Sequence, residues 1–151
     1  MMKNTYFDLK ENQLIRTANL TLKVIEMDKE SLSEEQLEEK IVALASTIAA
    51  RVTIIDRDGA VIADSEDDHE QMENHSNRPE FQQVINENKR SGLSIRYSNT
   101  LGYSMMYVAI PVVNDQQITG VIRTSLTLQE IEQAIQKLWI SIALVLFTAF
   151  Y

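Results

Sequence analysis

Apolar residues recur at helical spacing through residues 3–27, where Tyr6, Phe7, Leu14, Ile15, Ala18, Leu22 and Ile25 form one stripe. The polar stretch MDKESLSEEQ interrupts it. A second helix is predicted from Ser33. Ser33 and Gln36 form an S-x-x-Q capping box, and Leu32 and Leu37 occupy the two positions of a hydrophobic staple. Leu37, Ile41, Leu44, Ala45 and Ile48 then mark one apolar face. At Arg51 the pattern shortens to β-branched runs. RVTII and AVIAD read as two strands around the turn Asp56-Arg57-Asp58-Gly59. An acidic, irregular stretch fills Asp64 to Asn77, and Pro79 opens a short helix to about Asn88. Leu93–Tyr97, Tyr103–Val113 and Ile118–Ser125 read as three more strands, the last two joined at Asn114–Gln117. Short connections make these pairs antiparallel, and one sheet with helices on one side gives an α+β fold.

The last helix has the most informative spacing. Thr127 and Glu130 form a T-x-x-E capping box, with Leu126 and Ile131 as its staple. Leu128, Ile131, Ile135, Leu138, Ile142, Val145 and Ala149 come at alternating steps of three and four, a heptad seam. Such a seam suits pairing with a second copy; docking on the chain's own sheet would need only Leu128, Ile131 and Ile135. From Leu138 the sequence LWISIALVLFTAFY carries no charge over 14 residues. A membrane-spanning helix needs about 20 apolar residues, so the stretch is expected to be a truncated span. Trp139 sits at its start, where interfacial aromatics collect, and Lys137 can snorkel. No signal peptide follows Met1, so the start is expected to be an artificial cut.

With 151 residues the chain is long enough for one domain with a core. Its net charge of -8 disfavours nucleic acid as a partner, since that binding draws on Lys and Arg. The absence of cysteine excludes disulfides, thiol catalysis and thiolate metal sites. No nucleophile elbow, oxyanion-hole glycine pair or zinc spacing is present, so no catalysis and no catalytic residue is expected in these residues.

The stretches RVTIIDRDGAVIADS, MENHSNRPEFQQV, RYSNTLGYSMMYVAIPV and GVIRTSLTLQEIEQAI resemble the extracytoplasmic part of PhoR-like sensor histidine kinases, over about residues 35–140. The strand–DxDG–strand–ADS part alone is shared by many PAS-like and Cache domains; its combination with M-x-N-H-x-x-R-P-E and R-Y-S-x-T-L-G is more specific. The resemblance implies a PAS-like (Cache-like) five-stranded antiparallel sheet behind a long N-terminal helix, and a homodimer in the cell membrane with this domain on the extracytoplasmic side. It implies a cytoplasmic kinase core, with its ATP, Mg and response regulator, outside these residues; no cofactor is expected within them. The chain then divides into a juxtamembrane and dimerisation helix (1–32), a PAS-like sensor domain (33–127), and a signalling helix with the truncated span (128–151). Other outputs for the same module are a chemoreceptor or a diguanylate cyclase, and a different class altogether is a protein-docking module without a small-molecule ligand.

Within that frame His75, Arg78, Arg96, Tyr97, Tyr103 and Tyr107 are candidate ligand-binding residues. His titrates near neutrality and Arg holds a carboxylate or phosphate through two parallel bonds. The plainer reading makes Asn74 and Asn77 caps of the helix at Pro79, pairs Arg78 with a nearby acid, and treats the tyrosines as sheet packing. Leu128, Ile131, Ile135 and Leu138 are candidates for signal transmission and dimer contact. Six acids lie between Asp64 and Glu73; Asp64, Glu66, Asp67 and Asp68 are weak candidates for a calcium or magnesium site, against a default of solvated charge. No Gly-rich loop opens a helix as a phosphate cradle.

Overall fold

The computed structural model describes residues 5–27, 32–98 and 103–150, including all their side chains except those of residues 98 and 129–135. Two helices come first, α1 (Thr5–Met27) and α2 (Glu34–Ile48). The capping box forms at α2: Gln36 N donates to Ser33 Oγ at 3.3 Å, and Ser33 N donates to Gln36 Oε1 at 3.0 Å. The strands are β1 (Arg51–Asp56), β2 (Val61–Asp64), β3 (Gly92–Ser98), β4 (Tyr103–Asn114) and β5 (Gln117–Thr127). Between β2 and β3 lie a 3-10 turn (His69–Gln71) and helix α3 (Pro79–Ile85). All strand pairs are antiparallel, in the order β2-β1-β5-β4-β3. The predicted α+β sheet behind a long N-terminal helix is therefore present.

Strand periodicity divides the core into two faces. Val52, Ile54, Ile110 and Ile122 face α1 and α2, where they pack with Ala18, Ile41 and Ala63. Leu14, Met106, Val108 and Leu128 extend that layer. Ile55, Ala109 and Val121 point the other way and pack with Phe81 and Val84 of α3. The expectation of helices on one side is thus corrected: α3 covers the opposite face. Leu14 and Ala18 are fully buried, so α1 shares the core of the sheet and is not a segment apart from it.

Three local expectations also change. α3 stops at Ile85, short of Asn88. Its N-cap is Arg78 and makes no side-chain cap bond. Asn74 instead serves the β1–β2 turn, where its Nδ2 donates to the Asp58 carbonyl at 3.1 Å. The main chain of His75 reaches the same turn, at Gly59 O (2.7 Å). Gly59, at φ 92°, has no room for a Cβ there, because Ser76 N would lie 2.5 Å away. The start of the last helix also shifts from the T-x-x-E position. Thr127 is paired with Met105 as the last residue of β5, and the N-cap of the final helix α4 (Gln129–Ala149) is Leu128, without a side-chain cap bond.

Leu128 joins sheet to helix. Its side chain is buried and its N–H donates to Ser104 O at 2.8 Å. Beyond it α4 runs unbroken, with Leu138, Trp139, Ile140, Leu144, Val145, Leu146, Phe147 and Phe150 exposed. Among the described residues no helix is long and apolar enough to cross a membrane. The uncharged part from Leu138 rises only about 20 Å, against about 30 Å of hydrocarbon.

Candidate functional site

The face under α3 carries a polar row in the middle of the sheet. Register puts Asp64 (β2), Thr53 (β1) and Arg123 (β5) in line, with Arg51, Ser125, Tyr107 and Ser94 in the next row and Arg96 beyond them on β3. Glu80, the second residue of α3, reaches into this row. Gly92 lets it come close: a Cβ at Gly92 would lie 2.1 Å from Glu80 O. Gln83 fastens α3 to the same strand through both main-chain groups of Leu93, at 2.9 and 3.0 Å.

The Glu80 side chain is fully buried. Arg96 donates to both its oxygens, Nη2 to Oε1 at 3.1 Å and Nη1 to Oε2. Arg123, 3% exposed, adds Nη1 to Oε1 at 3.4 Å and gives Nη2 to Thr53 Oγ1 at 3.3 Å. The guanidinium carbons of Arg96 and Arg123 lie 3.9 and 4.8 Å from the Tyr107 ring centre, within cation–π range. Burial alone would raise the Glu80 carboxyl, but Arg96, its main-chain donor and Arg123 outweigh that and hold it below the ordinary range. Burial pulls Arg123 below its usual value despite Glu80. Arg123 Nε and Ser125 Oγ, both buried, have no hydrogen-bond partner among the described residues.

Thr53 passes the network to Asp64, donating Oγ1 to Oδ2 at 2.7 Å. Asp64 also accepts from Glu66 N (2.9 Å), Asp67 N (3.0 Å) and Arg51 Nε (3.1 Å). Burial opposes its charge, but these donors prevail and keep its carboxyl low. The cation held by Asp64, Glu66 and Asp67 is Arg51, at 3.1, 3.8 and 2.8 Å. Asp68 caps the 3-10 turn through Glu70 N. The start of the acidic stretch is a turn built around an arginine, and among the described residues no group of three His, Cys, Asp or Glu could hold a metal ion.

Of the six candidate ligand residues, two are in contact and a third lies near them. Arg96 and Tyr107 share the cluster, and His75 is buried beside it. His75 Nδ1 donates to Glu73 O at 2.7 Å. Desolvation, then the neighbouring charges of Arg123 and Arg78, depress its pKa. Arg78 is half-buried and pairs with Asn77 Oδ1 at 3.2 Å, and with no acid among the described residues. Tyr97 has the opposite strand parity and is 63% exposed, away from Arg96. Tyr103 lines an open hollow of about 620 Å³ that adjoins the cluster, sharing Arg51 and Ser125 with its polar rows and adding Met105, Thr127 and Ala49. Leu128 is buried in the domain's own core, whereas Leu138 is exposed; the side chains of Ile131 and Ile135 lie outside the described ones. Glu80 and Arg123 were missed, although Glu80 stands in the same motif as His75 and Arg123 interrupts an apolar strand between Ile122 and Thr124.

The long N-terminal helix and five-stranded antiparallel sheet agree with one family: residues 4–127 match the one described as Single Cache-like. The chain belongs to that family. A Cache-like domain senses and is not itself catalytic. The fold is similar to the V. cholerae histidine kinase DctB sensor domain, with TM-score 0.56 and 21% identity over 85% of this chain and 58% of that one. It is also similar to the ligand-binding domain of the Pseudomonas fluorescens chemoreceptor CtaA in complex with L-isoleucine, with TM-score 0.56 and 18% identity over 84% and 51%. The E. coli DcuS sensor domain gives TM-score 0.55 and 13% identity over 82% and 98%. This Cache-like chain thus spans 58% and 51% of the DctB and CtaA domains and nearly all of the DcuS domain. No curated protein matches it in sequence.

Proposed function

We propose that this Cache-like domain is the extracytoplasmic sensing and dimerisation module of a membrane-bound two-component histidine kinase of the PhoR-like, phosphate-regulation type. The observation that carries the reading is the joint at Leu128. Buried against Leu14, Met106 and Val108, it ties the base of α4 to the sheet core, while the apolar side chains of α4 from Leu138 onward are uncovered. A displacement of β5 is therefore passed to a helix whose far end suits lipid and a twin. The ligand-responsive face is the one under α3, around His75, Arg96 and Tyr107. A ligand shifts the output only by binding one arrangement better than the other. The kinase core would supply ATP and Mg chemistry and address a response regulator.

Ile135→Asp in the full receptor tests transmission. A charge in the seam is expected to weaken dimerisation and change output at least tenfold, a shift of about 1.4 kcal/mol. Unaltered dimerisation together with unaltered output defeats the reading. The likeness to the CtaA domain favours a chemoreceptor as the second reading. The sequence beyond Tyr151 separates the two, because a phospho-accepting histidine motif and a methylation-helix heptad array differ plainly.

A further inference from the structure

Two guanidinium groups on the α3 face converge on one carboxylate, and that carboxylate belongs to the chain itself. We propose that Arg96, Arg123 and Tyr107 form a carboxylate-binding site whose resident occupant is Glu80, a tethered acid that keeps diffusible acids out. The inference rests on the reading of the α3 face as the sensing face.

Arg96 presents a two-pronged fork to both oxygens, a geometry that suits a carboxylate whatever carries it. Arg123 approaches Oε1 from a different strand at 3.4 Å. The Tyr107 ring lies within reach of both guanidinium groups, at 3.9 and 4.8 Å, and helps fix them. Donors outnumber acceptors: two cations face one anion, and Arg123 Nε is buried without a partner among the described residues. The tether is short, since Glu80 directly follows Pro79 at the start of α3. Its carboxylate links α3 to β3 and to β5, the strand that leads into α4. Loss of this contact removes the polar tie between the start of α3 and the output strand and leaves only the apolar packing of Phe81 and Val84 on Val121.

Thermal melting of the full chain in mild detergent, with sodium formate or sodium acetate against sodium chloride of equal ionic strength, tests the assignment. Glu80→Ala is expected to melt below wild type. Formate or acetate should recover part of the loss, on the order of 5 °C at ten times its Kd, and chloride should not. Wild type should not respond, nor should Glu80→Ala combined with Arg96→Met. If Glu80→Ala is unfolded in buffer, formate should restore its folded circular-dichroism spectrum. Glu80→Gln, which fills the space without the charge, should fold at lower Tm and ignore acetate. The proposal is overturned if Glu80→Ala is as stable as wild type, if both respond alike, or if neither acid stabilises or refolds the variant. Melting reports occupancy and not output, so this result and the Ile135→Asp result can fail independently.

Discussion

At the residue scale, the buried polar groups of the α3 face set the pH response. His75 is held below its usual pKa first by desolvation and then by Arg123 and Arg78, while Glu80 and the Glu73 carbonyl oppose. Its unfolded form therefore binds the proton more readily, and stability is lost as the pH falls below about 6.5. Asp64 and Glu80 are also depressed, so a second loss begins as the pH falls below about 4. Tm measured from pH 8 to 3 should fall in these two stages. His75→Gln should flatten the upper stage and leave the lower one; an unchanged upper stage refutes the assignment. This scale was the least legible in the sequence. His75, Arg96 and Tyr107 could be named because their types suit anion chemistry. Glu80 and Arg123 were passed over because each looks solvated in isolation, and only the register that sets Arg123 beside Thr53 and under α3 makes them partners. The acidic run read by default as solvated charge, with a cation site only a weak candidate, because its partner Arg51 lies 13 residues upstream of Asp64.

At the element scale, local rules held where nothing competed with them. The Ser33–Gln36 box forms at an exposed helix start. At α4 the N-cap moves from Thr127 to Leu128, because Thr127 is committed to the β4–β5 ladder. Asn74, expected to cap α3, was captured by the Asp58–Gly59 turn. The α2 ends are a matched test. Ser33→Ala should cost about 1 kcal/mol through loss of the cap. Ala49 closes the same helix at φ 54°, in the left-handed region. Ala49→Gly should stabilise by about 1 kcal/mol by relieving that conformation. Denaturant melts of both variants, with wild-type slope, give the two signs; the same sign for both would contradict the account of this helix.

At the scale of the molecule, alternation along each strand made the sheet readable, but not which helix covers which face. That α3 crosses to the far side depends on Gly92 and Gln83, whose roles appear only when β3 and α3 meet. The same long-range assembly places Leu128 in the core and so moves the base of α4 inside the domain, leaving the apolar helix from Leu138 onward uncovered. The central claim is that this uncovered helix pairs with its twin along one seam and carries the state of the sheet. Single cysteines at Leu138, Ile142 and Val145, and off the seam at Ile140 and Leu144, in the full receptor in membranes, test it through disulfide cross-linking between copies. The account predicts strong cross-links at the first three positions and weak ones at the other two; equal cross-linking at all five, or none at any, would contradict it.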